Sequence, residues 1–298
     1  MDRKPTFPPI LVLILLVALL SMPPDVVAGA LIQALDSGHI DWSAGTVRAS
    51  GFAGPVATDD GVPADCPAEL IDTARRTAQA NLLQTVSAVR INAGSRVVDR
   101  MTQSAAFREV LASLAQNAAV TRQEYSDSGL QIELSMSLTG GFGQFVLPEE
   151  IRQVDAITTL ATAEPMLEGP SKPEADADSG PHTGLIVDAS GIQAKPSLVP
   201  LIVDELGDGV YGPAFVSREY AVSRGMSGFA ATLPAARNDP RVGGRPMVVK
   251  AIRTHISGET DLVIANADAA RLRSSVVHLT FLKACRVTVV IAAEDGSP

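Results

Sequence analysis

From Leu130 to Leu138 the chain alternates strictly. Leu130, Ile132, Leu134, Met136 and Leu138 are apolar, and Gln131, Glu133, Ser135 and Ser137 are polar. A period of two predicts a β-strand with one buried face and one wet face. The turn signal Ser126-Asp127-Ser128-Gly129 before it makes the pair a hairpin. Upstream the spacing changes to three and four: Ile71, Ala74, Ala78, Leu82, Val86 and Val89 mark an amphipathic helix. Asp65 is placed to cap that helix, with Pro67 in its first turn. A second helix follows Ser104, with Phe107, Val110, Leu111 and Leu114 on one face. The segment "GTVRASGFAG", residues 45–54, reads as a strand running into a turn. Strand, helix, helix and hairpin in that order imply an antiparallel sheet with helices on one face. "GGFGQF", residues 140–145, then lets the chain leave the sheet, and Pro148-Glu149-Glu150 opens a further helix.

Residues 164–183 change character, with four prolines, many small or acidic residues and little to bury. They read as a linker. Beyond it, "GLIVDAS", "SLVPLIVDE" and "RPMVVKAIR" predict strands. In the last segment a strand ends at Ala265, Asn266 is placed to cap a helix, and "CRVTVVIA", opened by Cys285, is another strand. The two strands of this unit would be parallel if they were neighbours. The expected fold is α+β, in two small domains, each an antiparallel or mixed sheet with helices packed on one face. The boundaries are 1–30 for a signal peptide, 31–163 for the first domain, 164–183 for the linker and 184–298 for the second domain.

The signal assignment rests on Arg3 and Lys4, an apolar run from Ile10 to Leu20, and small residues at Ala28 and Ala30. The run is short for roughly 30 Å of hydrocarbon. Cleavage near Ala28 or Ala30 and a periplasmic location are therefore expected over a retained transmembrane helix. Of two cysteines in all, Cys66 and Cys285, neither follows the apolar run closely enough for lipid attachment. In an oxidising compartment the two are candidates for a disulfide. The competing reading is a buried thiol at Cys285. A net charge of −9 with no basic block argues against a nucleic-acid partner.

Candidate chemistry is thin. Gly207, Gly209 and Gly212 have the G-x-G-x-x-G spacing of a dinucleotide turn. However, Pro213 removes an amide donor, and the next clear strand ends without the acid that would hold a ribose. A strand-to-strand turn with Asp208-Gly209 at its tip is the better reading. Asp204, Glu205 and Asp208 cluster there but fail the EF-hand spacing. His39, His182, His255 and His278 are scattered, with no metal-ligand spacing between them. Ser227 in "GMSGF" lacks the spacing of a nucleophile elbow. No catalytic residue, cofactor or metal ligand is assigned, and no enzyme is expected.

The strand "VRASGFAG", the helix "ELIDTARRTAQANLLQTV" with paired Arg75 and Arg76, a second helix and a closing antiparallel pair resemble a bacterial outer-membrane lipoprotein family, the one that includes the flagellar protein FlgP. The resemblance covers roughly residues 40–140. Residues 183–212 and the "NADAARL" segment are similar to the C-terminal region of uncharacterised exported proteins that share this front half. The resemblance implies a non-catalytic envelope protein, structural or assembly-related and flagellum-associated. Its partners would be envelope proteins or further copies of itself, with indirect outer-membrane association, because the lipid-bearing cysteine is missing. The alternative is a periplasmic module that binds a small ligand or a cell-wall component through the second domain.

Overall fold

A computed structural model describes residues 30–54, 67–151 and 180–293. The signal-peptide segment up to residue 29, the cap Asp65, Cys66, the bulk of the helix expected from Pro148, and residues 164–179 of the linker lie outside the described residues.

The chain is α+β. In the first half, β1 (Ile32–Leu35), β2 (Gly38–Asp41) and β3 (Thr46–Ala53) form a meander. Helix α1 (Pro67–Ser87) follows, then a small hairpin of β4 (Arg90–Asn92) and β5 (Ser95–Arg96), and helices α2 (Val97–Gln103) and α3 (Ala105–Gln116). The expected hairpin is β6 (Ala119–Ser126) with β7 (Gly129–Ser137). The sheet order is β1-β2-β3-β7-β6, antiparallel throughout.

The predicted helix face is the buried one: Ala74, Ala78, Leu82 and Val86 of α1, with Val89 just beyond it, have no exposed surface. It packs on Val47, Ala49, Ile132 and Leu134 of β3 and β7. Gly51 lets the backbones touch. A Cβ at this position would fall 2.2 Å from both Ala74 O and Ala78 N, so only glycine admits α1 this close. Ser104 caps α3 by accepting from Phe107 N at 3.2 Å.

Residues 140–145 differ from expectation. "GGFGQF" does not simply release the chain; it winds into a short helix, α4 (Gly141–Val146), with Phe142, Gly143 and Val146 buried. The aromatic residues outweigh the glycines' preference for irregular backbone once they have a core to enter. At Pro148 the described residues form a turn.

The second half contains β8 (Gly184–Asp188), β9 (Ile202–Val203), β10 (Gly209–Tyr211), α5 (Arg218–Arg224), β11 (Gly228–Ala230), α6 (Leu233–Arg237), β12 (Pro246–His255), β13 (Gly258–Ile264), α7 (Asn266–Arg273), α8 (Val276–Lys283) and β14 (Val287–Val290). Its mixed sheet has the order β10-β9-β13-β12-β8-β14-β11. β8 is apolar and buried up to Asp188, and β14 is buried throughout and apolar but for Thr288, as suits central strands covered on both faces. Leu185, Val187, Val287 and Val289 face the main core, whereas Ile186 and Val290 face a smaller cluster with Ala236 of α6. The final strand–helix–strand unit is not a neighbouring parallel pair. β12 and β8 lie between β13 and β14, and the pairings make β13 antiparallel to β14. Its helical part is two helices, and the cap of the first is Ala265; Asn266 is its first residue.

The halves share one core. Leu198 N and Val199 N donate to Arg90 O and Ile91 O, and Gly140 N donates to Val222 O at 2.8 Å. Arg218 reaches from α5 to Pro148 O and Gln144 O. The described end of the linker is tied down as well, because Thr183 bonds to Arg245 and Val242. Among the described residues no helix is long and apolar enough to cross a membrane.

Candidate functional site

The glycine motif is a turn between strands. β9 and β10 are antiparallel, and Asp204 organises the loop between them. Its Oδ1 accepts from Leu206 N and Asp208 N, and Gly207 N closes on Asp204 O. The tip is therefore Glu205-Leu206, with Gly207 at φ +89°, rather than Asp208-Gly209. Arg273 of α7 donates to Asp204 Oδ2 at 2.7 Å and to the carbonyls of Asp208 and Gly209. The guanidinium holds the Asp204 carboxyl below its usual range. Glu205 Oε2 accepts from Asn266 N at the start of α7. Both acids therefore serve the loop's own geometry. Among the described residues no group of three or more His, Cys, Asp or Glu is placed to hold a metal.

At the β12–β13 hairpin the structure brings together His255, Ser257 and Asp261, the three residue types of a hydrolase triad. The order of contacts is different. The single Ser257 hydroxyl proton goes to Asp261 Oδ2 at 2.6 Å, and His255 Nδ1 lies 2.7 Å from the same hydroxyl. In a triad the serine gives its proton to histidine and the carboxylate orients the ring. Here Asp261 also accepts from Leu201 N, so it ties the hairpin to the strand beside it.

Cys285 does not open β14. It follows α8 in the left-handed conformation, φ +55°. Cys285 N donates to Leu282 O and Arg286 N to Phe281 O, the paired bonds of a Schellman helix end. The thiol is free and buried, and burial pushes it up to about 11. Beside it, burial raises the hydroxyl of Tyr211, which donates to Met226 O. Arg241 spans the same region and donates to the carbonyls of Gly225, Cys285 and Arg224. Burial lowers the pKa of its guanidinium, with nearby Asp239 opposing the shift. A small cavity of about 90 Å³ between the halves is lined by Trp42, Ser197, Ser227 and Arg241 among others. The hydroxyls of Ser197 and Ser227 are buried without a protein partner.

Sequence spacing gave no sign of a larger cleft, about 420 Å³, at the N-terminal ends of β8 and β14. His182 lines it, and behind that lining its ring meets His278, 96 positions away, with centroids 5.5 Å apart. Arg224 and Arg286 line the same cleft. A third cleft, about 560 Å³, lies at the opposite end of β8 and β14, but its Lys195 is already paired with Glu259 at 2.7 Å.

The last candidate is a surface. β6 is the edge of the first sheet, and all eight of its residues are exposed. α1 covers β3 and β7 but leaves Val120 and Tyr125 of β6 at 45% and 62% exposure. An open edge presents unpaired amide and carbonyl groups, a template for another strand. β6 carries one irregularity, a register shift between Val120 and Arg122, and contains no proline.

Residues 184–293 match a protein family described as the second domain of Treponema pallidum Tp0624. The match covers only the second half of the chain. No curated protein matches the chain.

Proposed function

We propose that the chain is a non-catalytic, exported protein of the periplasm and cell envelope with a structural or assembly role. It works by contact with copies of itself and with other envelope proteins. The FlgP-type resemblance of the first half extends this reading to a flagellum-associated scaffold with indirect outer-membrane attachment.

The observation that carries the reading is the open edge of β6. Antiparallel pairing of two β6 strands about Gln123 sets each Arg122 opposite Glu124 of the second copy, and the reverse pair repeats the contact. Within one chain these two residues already pair with each other, Arg122 Nε to Glu124 Oε1 at 2.7 Å. Opposite charges across a strand pair stabilise it, and like charges weaken it. Continuous sheets across an edge supply main-chain hydrogen bonds without requiring a pocket.

Light scattering of the exported protein tests this. A discrete oligomer is expected, weakened by Arg122→Glu, which sets like charges opposite each other, and restored by Arg122→Glu with Glu124→Arg. A monomer at all concentrations, alone and with envelope extract, would count against the proposal. So would an oligomer indifferent to both variants.

A further inference from the structure

The 420 Å³ cleft is built from segments far apart in sequence: His182 and Thr183 before β8, Tyr220 and Arg224 on α5, and Phe281 on α8 with Arg286 after it. Its charge runs against that of the molecule. The chain carries a formal −9, yet among the described residues no carboxylate lines this cleft. Neither Arg224 nor Arg286 takes part in an ion pair among the described residues. Arg224 lies over the Tyr220 ring, 5.4 Å from its centroid, and makes no side-chain hydrogen bond. Arg286 gives one donor to Thr183 O at 3.3 Å and keeps the others. His278, behind the lining, donates through Nδ1 to Arg271 O at 2.9 Å, so its Nε2 is an acceptor and its ring serves to support His182. The His278 ring is held on its other side by Phe281, centroids 5.4 Å apart.

We propose that this cleft binds a phosphate monoester. Arginine forks recognise oxyanions through paired charge-assisted bonds. Two guanidiniums, with the imidazole of His182 beside them, offer more donors than the two oxygens of a carboxylate accept, whereas the three terminal oxygens of a monoester use them. Tyr220, Val277 and Phe281 supply an apolar wall for the organic part of the ester. The cleft volume is within the range of small-molecule sites. This site is independent of the assembly surface on β6, and either proposal survives the failure of the other.

Isothermal titration of the full exported chain with phenyl phosphate, inorganic phosphate and benzoate, at constant ionic strength, tests the proposal. Cosedimentation with phosphatidylcholine vesicles, with and without phosphatidate, separates a soluble ester from a lipid headgroup. Saturable binding of phenyl phosphate is expected, tighter than benzoate and weakened roughly tenfold or more by Arg224→Gln. Arg224 is exposed and outside the core, so that variant keeps its fold, which circular dichroism confirms. Arg286→Gln serves as a second variant and is expected to weaken binding in the same direction. Binding confined to phosphatidate vesicles and lost in both variants would support the headgroup as the source. No saturable binding in either arm, equal affinity for benzoate, or affinities unchanged in both variants would overturn the proposal.

Discussion

The indole of Trp42 meets the ring of Phe229 edge to face, with centroids 5.7 Å apart and planes at 75°. Trp42 follows β2 in the first half, and Phe229 is in β11 of the second. This contact and the shared backbone bonds make the halves one packed body. Trp42 is 4% exposed and is the chain's single tryptophan, so its emission reports the junction. Trp42→Ala is expected to lower stability by about 3 to 5 kcal/mol, read from urea denaturation followed by circular dichroism. In the wild type, tryptophan emission and circular dichroism should change together. Separate transitions would mean that the halves unfold independently.

Gly51 sets the distance between α1 and its sheet. Gly51→Ala is expected to destabilise by about 1 to 3 kcal/mol or more, because its new methyl meets helix backbone rather than a side chain that can rotate away. The comparison is Gly94→Ala on the β4–β5 turn, where the nearest atom to a new Cβ is the Asn92 Oδ1 side chain at 3.9 Å. Thermal denaturation of the pair checks the ranking.

The Asp204–Arg273 bond predicts a pH dependence. The folded carboxyl is held below its usual value, so its contribution is present above the unfolded pKa of roughly 3.9 and is lost as pH falls through the folded one. Arg273→Leu should therefore lower the urea midpoint at pH 7, and the gap from the wild type should narrow below about pH 4. A gap constant across that range would assign the loss to packing alone.

Cys285 gives the opposite end of the pH scale. Its thiol is raised to about 11 in the folded chain, above an ordinary thiol at roughly 8.5. Folding therefore loses stability as pH climbs from the ordinary value through about 11, and Tyr211, raised in the same direction, adds to the loss. At pH 8 the folded thiol is expected to resist iodoacetamide and to react once urea unfolds the chain. Labelling followed by peptide mass analysis reads Cys285 separately from Cys66.

The sequence displayed what local periodicity can carry. β7 and α1 were legible because each has one apolar face repeated over many residues, and Ser104 announced α3. β1 and β2 are four residues each, too short for a period to stand out. The αL helix end at Cys285 was hidden because glycine is the usual residue there, and an apolar run invites the reading of a strand. His182 and His278 are joined only by the order of strands in the second sheet, which no spacing encodes. The exposure of β6 was equally invisible, since its fate depends on where α1 stops covering the sheet.

The strand order of the second sheet has a consequence for synthesis. β14, made of residues 287–290, inserts between β8 and β11 and bonds to both. When β8 and β11 leave the ribosome, the strand that joins them has not yet been made, so this sheet can close only after residues 287–290 have emerged. A chain stopped at residue 286 would lose an interior strand of this sheet. Residues 287–290 thus act as a closing strand: until they are made, β8 and β11 have nothing between them and this part of the core stays open.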